Sequence, residues 1–124
     1  MAGCMQFHVR TEHEGRVRRL TPVGELDIAT AGELRGAFEA VLGDADAEAE
    51  VIVVDLGELT FMDSTGLHAL LAMSAACEHG DRLRVVNASG SVARLFDIAG
   101  VGDRLPVMRP DDDPLAPLPR RGST

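Results

Sequence analysis

Apolar residues recur along the chain with two different periods, and the changes of period divide it into elements. The first run, "MQFHVRTEHEG", alternates at Met5, Phe7 and Val9 with polar residues between and stops at Gly15. This is the pattern of a half-buried strand. "RVRRLTPVGELD" places Val17, Leu20 and Val23 in a second strand, where Pro22 predicts an edge position or a bulge. The short Gly-containing link between the two favours a hairpin. The period then lengthens in "TAGELRGAFEAVLG", where Leu34, Phe38, Val41 and Leu42 fall on one helical face. Thr30 and Glu33 have the spacing of a capping box at its start, and Gly43 supplies a stop.

"VIVVDL" is apolar on both faces, as a central strand must be. After "GELTFMD" a second helix is predicted from about Ser64 to Glu78, with Leu67, Leu70, Leu71 and Ala75 inward. "RLRVVNA" is another strand, and "SGSVARLFDIAG" a third helix with Val92, Leu95, Phe96 and Ala99 buried and Gly100 as its stop. "RLPVM" adds a short final strand. Two strand–helix–strand crossovers require parallel pairing in the middle of the sheet, while the hairpin is antiparallel. The expectation is a single α/β domain with a mixed central sheet over residues 1–108. From Arg109 onward, "RPDDDPLAPLPRRGST" holds four of the six prolines and little that packs, so residues 109–124 read as a disordered tail.

Composition narrows the functions open to such a domain. The formal charge is −8, with 12 basic against 20 acidic residues, the wrong sign for many phosphate contacts. Trp and Tyr are absent and Phe occurs four times, which argues against platforms for stacked bases. Neither a nucleic acid nor a membrane is therefore expected as a partner. Every basic residue is Arg, which excludes a Walker-type phosphate loop and Schiff-base chemistry, since both need a lysine amine. Cys4 and Cys77 form no CxxC pair, and the histidines show no metal-ligand spacing. No apolar signal core or membrane-length run is visible, and a cytoplasmic location is expected.

The acidic loop "DADAEAE" reads as solvated surface, "GVGDRL" follows a helix and lacks a final glycine, and "NASGS" offers Ser89 or Ser91 as a plain helix cap. The stretch with chemical content is "FMDSTGLHAL", residues 61–70. Ser64 and His68 are four residues apart and would share a helical face. Asp63 adjoins Ser64, however, and cannot orient His68 while His68 serves Ser64, and no G-x-S-x-G elbow exposes the serine. Hydrolysis is disfavoured, and no catalytic residue is assigned. Two roles remain: Ser64 or Asp63 caps a helix, or Ser64 accepts a modification where the helix terminus tolerates negative charge. A phosphate there carries about −1.5 to −2 charges and would alter binding without unfolding the domain.

"VIVVDLGELTFMDSTGLHALL" resembles the signature of STAS domains, specifically the stand-alone anti-sigma factor antagonists of bacteria. "PVGELDIATAGELR" and "RLRVVNASGSVARLFDIAGVGDRL" resemble two further elements of that family in the right order, so that the likeness covers about residues 5–108. The chain departs from the family pattern at Gly90, where a proline is frequent. The resemblance implies a small α/β domain with a mixed sheet and helices mostly on one face. It implies a non-enzymatic protein that, unphosphorylated, binds an anti-sigma factor serine kinase and frees a sigma factor. By position Ser64 matches the phosphoacceptor and Asp27 a family aspartate near it. Glu25, Phe61, Met62, Asp63, Thr65, Gly66 and Leu67 complete the expected partner-binding set, with Phe61 and Met62 on an exposed run. No cofactor of its own is implied: ATP and magnesium come with the kinase, and a serine phosphatase restores the unmodified form. STAS domains also serve as constitutive subunits of lipid-transport complexes or of stress-signalling assemblies, which is the competing expectation.

Overall fold

The computed structural model describes residues 7–43, 51–76, 82–88, 90–100 and 107–108. Its elements run β1 (His8–Glu14), β2 (Val17–Leu26), α1 (Ala31–Leu42), β3 (Val51–Asp55), β4 (Leu59–Met62), α2 (Ser64–Ala76), β5 (Leu83–Val86) and α3 (Gly90–Ala99). The sheet has the order β1-β2-β3-β5, and β4 also pairs with β2. β1 and β2 form an antiparallel hairpin, and the remaining pairings are parallel. This is the α/β domain with a mixed sheet that the sequence predicts.

β2 is the shared rail of this sheet. It pairs with β1 on one side. On the other it meets β3 over Val17–Leu20 and then β4 over Gly24–Leu26. The register shifts between Gly24 and Glu25. Pro22 is therefore in an interior strand, not at an edge, and it sits in the interval between the two parallel ladders. Gly24 has φ +114, a backbone conformation that favours glycine.

The two faces of the sheet are unlike. Leu20, Ile52, Val54, Leu83 and Val85 join Leu34, Phe38 and Val41 of α1, Leu67, Leu70 and Met73 of α2, and Val92 and Phe96 of α3 in one buried cluster. All three helices thus pack on one face. On the other face the register aligns Arg19 with Val53, and Val53 with Arg84. Val53 and Val23 are buried but stand outside the helix-side cluster.

Several local expectations need correction. The strand β1 starts at His8, later than the alternation from Met5 suggests, and ends at Glu14, before the expected stop at Gly15; its second half, Arg10–Glu14, is exposed and carries no apolar period. β4 was not expected: four residues between Gly57 and Asp63 are too few to show a period. The inward face of α2 is Gly66, Leu67, Ala69, Leu70 and Met73, with Leu71 half-buried and Ala75 exposed. In α3, Val92 and Phe96 are buried, Leu95 is half-buried and Ala99 is exposed. Of the expected final strand "RLPVM" only Val107 and Met108 are described: Val107 bridges Val85 in parallel, and the Met108 amide donates to the Val85 carbonyl at 2.7 Å. The expectations for the tail 109–124, for Cys4 and Cys77, for the 44–50 loop and for Ser89 fall outside the described residues.

Candidate functional site

β2 and β4 run parallel, so their carboxyl ends finish side by side, with Glu25 opposite Phe61 and Leu26 opposite Met62. The Asp63 amide continues the pairing by donating to the Leu26 carbonyl at 3.2 Å. This junction brings the Glu25–Asp27 segment beside the start of α2, two stretches far apart in the chain. Alternation then sorts their side chains. Leu26 and Met62 point into the helix-side core, while Glu25 and Phe61 face out, Phe61 being 43% exposed.

The start of α2 resolves which of two adjacent residues caps it. Asp63 Oδ1 accepts the Thr65 amide at 2.9 Å and the Gly66 amide at 3.1 Å, and the Asp63 carbonyl accepts the Leu67 amide at 3.1 Å. Asp63 is the N-cap, satisfying amides that would otherwise have no partner. Ser64 is the first helical residue and is exposed. Its hydroxyl hydrogen-bonds no described residue and has no part in the cap. Because Asp63 is engaged in the cap, it does not orient His68, which is exposed further along the helix. No hydrogen bond joins Ser64 to His68 among the described residues.

Gly66 is buried where α2 crosses the ends of both strands. A Cβ there would come within 2.8 Å of Leu26 Cγ and 2.9 Å of Met62 Cγ. The glycine lets the helix start sit directly on the strand ends, which fixes the place of Ser64. Leu67, 4% exposed, extends the same contact into the core. Met62 is likewise 4% exposed, so the exposed run expected over Phe61 and Met62 holds for Phe61 alone.

The loop after β2 is built on Thr30. Its Oγ1 donates to the Glu25 carbonyl at 2.7 Å and accepts the Asp27 amide at 3.0 Å. Asp27 Oδ1 accepts the Ala29 amide at 3.0 Å. The capping box expected between Thr30 and Glu33 does not form: Thr30 is the N-cap residue of α1, but its hydroxyl turns back to the loop and makes no side-chain cap bond. The hydroxyl instead clamps both ends of the Glu25–Thr30 turn, which holds Asp27 half-exposed beside the junction and presents Ile28 at 80% exposure.

Sequence reasoning missed Ile28, because an apolar residue two positions after Leu26 reads as the end of the buried strand. It also missed Asp55, at the end of β3. The Asp55 carboxylate accepts from Arg19 Nη1 at 3.1 Å, the Gly57 amide at 2.9 Å and Asn87 Nδ2 at 2.9 Å. These bonds tie β2, β3 and the end of β5 together. No local motif marks that aspartate.

A small mixed α/β sheet with its helices on one face agrees with what the comparisons return. The STAS domain family, described as "Mlab, STAS domain", matches residues 9–110. The chain belongs to the STAS-domain anti-sigma factor antagonist family. It is 33% identical to an anti-sigma-B factor antagonist of Staphylococcus epidermidis over 85 residues, 68% of this chain and 76% of that one. It is 29% identical to the anti-sigma-B factor antagonist of Staphylococcus aureus over 104 residues, covering 83% of this chain and 94% of the relative. Among solved structures, an anti-sigma factor antagonist from Mycobacterium paratuberculosis superposes with a TM-score of 0.76 at 26% identity, over 89% of this chain and 92% of that one. Among the described residues, no helix is long and apolar enough to cross a membrane.

Proposed function

We propose that this chain is an anti-sigma factor antagonist that binds a kinase-type anti-sigma factor when unmodified, frees a sigma factor, and is switched off by phosphorylation of Ser64. The observation that carries this reading is the division of labour at the start of α2: Asp63 holds the cap, and the Ser64 hydroxyl is exposed and uncommitted. Modifying such a hydroxyl breaks no described hydrogen bond, and the helix terminus favours the added negative charge. The protein is a substrate and a binding partner, not an enzyme. In the transfer, the γ-phosphorus of ATP bonds to Ser64 Oγ, ADP departs, and the hydroxyl proton passes to the kinase, which supplies ATP and magnesium. A serine phosphatase reverses the step.

Glu25, Asp27, Ile28, Phe61, Asp63 and Thr65 form the surface around Ser64 that meets the partner, acidic groups with two apolar side chains among them. Met62, Gly66 and Leu67 are buried and act by holding that surface in place. An added phosphate would stand among three carboxylates and repel an acidic group of the partner.

Intact-mass measurement after incubation with the kinase and ATP tests the assignment. One added phosphate is expected on the wild type and none on Ser64→Ala; a phosphate retained by Ser64→Ala would overturn it. Ser64→Glu is expected to weaken kinase binding at an unchanged thermal midpoint. Constitutive copurification with a membrane complex, independent of phosphate, would instead favour the assembly-subunit role.

A further inference from the structure

Among the described strands β1 pairs only with β2, and it forms an outer edge of the sheet. It is seven residues long and exposed at every position except Val9, which is half-buried. The two-residue turn Gly15–Arg16 closes on Glu14 and Val17, so that pair exchanges backbone hydrogen bonds in both directions. Alternation along the hairpin then turns the amides and carbonyls of Val9, Thr11 and His13 outward, away from β2. Pro22, which has no amide to give, stands opposite Val9, where none is needed. The side chains sort by the same alternation. Thr11 is opposite Leu20 of the helix-side core, so His8, Arg10, Glu12 and Glu14 share the other face. The recess between α1 and this strand is lined on the helix by Ala37, Ala40 and Val41, which are too short to overhang the edge.

We propose that β1 pairs with β1 of a second copy of this chain, antiparallel, with Thr11 opposite Thr11 on the two-fold axis. In that register Val9 and His13 lie opposite each other with their outward groups in phase, so the ladder is hydrogen-bonded on both sides of the axis. Arg10 then faces Glu12 of the second copy, and His8 faces its Glu14, each pair occurring again by symmetry. These are the pairs between the hydrogen-bonded ones, where Cα atoms approach to about 4.5 Å and opposite charges stabilise. Other symmetric registers lose this match. Moving the axis by one residue sets Arg10 against Arg10 or Glu12 against Glu12. Moving it further shortens the ladder and, towards the turn, sets Glu12 against Glu14. Charges on an edge strand commonly prevent pairing with other chains. Here their order is self-complementary, so they admit a second copy in one register. Arg10 also meets Glu58 of its own chain at 3.4 Å, both side chains being half-exposed, and a guanidinium has donors enough for two carboxylates. The axis reverses strand direction, so the two Ser64 sites open at opposite ends of the joined sheet.

Sedimentation equilibrium of the full chain over a concentration series tests the pairing. The wild type is expected to rise from the 13.2 kDa chain mass towards twice that value through the micromolar range. A wild type that stays monomeric at millimolar concentration would overturn the proposal. Arg10→Glu and Glu12→Arg each set like charges opposite at both symmetric positions, and each should weaken the dimer about tenfold. Both residues are exposed, so the variants should fold as the wild type does. Mixed in equal amounts, the two variants restore opposite charges at both positions, and the mixture should dimerise about as tightly as the wild type. Single variants that dimerise like the wild type would place the contact elsewhere and overturn the pairing. So would a mixture that dimerises no better than its components.

Discussion

The sharpest test of the site's architecture is to add one methyl group at Gly66 and another at Gly36. Both glycines are helical, and Ala is preferred to Gly in a helix interior by about 0.8–1 kcal/mol. A Cβ on Gly36 meets nothing within 4 Å, so Gly36→Ala should stabilise the protein by nearly that amount. A Cβ on Gly66 would stand 2.8 Å from Leu26 Cγ, 2.9 Å from Met62 Cγ and 3.0 Å from Leu26 Cδ2. Carbon contacts are optimal at about 3.5–4.0 Å, so something must move by about 0.5–1 Å. Leu26 and Met62 are 0% and 4% exposed and have no solvent side to move into. Overpacking of this kind costs about 1–3 kcal/mol. Net of the helical gain, Gly66→Ala should lose up to about 2 kcal/mol, leaving the two variants about 1–3 kcal/mol apart. Equilibrium urea unfolding should separate their midpoints by about 1–2 M. The displaced helix start carries Ser64 with it, so Gly66→Ala should also slow phosphorylation while Gly36→Ala does not. A Gly66→Ala variant as stable as Gly36→Ala would refute the claim that this glycine sets how α2 meets the strands.

Three further outcomes are expected. Asp63→Ala should cost about 0.5–2 kcal/mol by removing the N-cap, whereas Ser64→Ala should stay within about 0.5 kcal/mol of the wild type, both read by urea unfolding. Equal losses would mean that the cap is shared. Asp55→Ala removes the acceptor for Arg19, Gly57 and Asn87, and should cost at least about 1.5–3 kcal/mol by the same assay. Thr21→Val keeps the shape and deletes a buried hydroxyl whose Oγ1 has no hydrogen-bond partner among the described residues, so the thermal midpoint should hold or rise.

Where a side chain pattern repeats often enough, it identified the element. β3 is apolar throughout, α1 buries Leu34, Phe38 and Val41 in register, and Gly100 ends α3 with φ +65. β4 escaped because its four residues gain their strand character from pairing with β2, a partner more than 30 positions away. The exposed half of β1 has no hydrophobic period of its own, and its end was legible only from the turn glycine, Gly15. The caps show the limit most plainly. Thr30 and Asp63 each precede a helix and are both good capping residues, yet only Asp63 caps with its side chain. The Thr30 hydroxyl is drawn to the Glu25 carbonyl by a loop whose shape depends on where β2 ends. Ser64 could be located from its motif, but its exposure could not, since that depends on the neighbour taking the cap.

The shift of register at Gly24 has a dynamic consequence. β2 is held by two separate ladders on the same side: four register pairs with β3, then three with β4 beyond the irregularity. The shorter ladder, the Thr30 clamp and the first turn of α2 all lie on the site side of that break. They can open together while the β3 ladder and the hairpin stay closed, forming a unit of lower stability within one domain. Amide exchange should therefore divide β2 in two, fast after Gly24 and slow before it. On the proposed function, a kinase drawing Ser64 into its own active site would need to disturb only that outer unit, and the rest of the sheet would remain as its foundation.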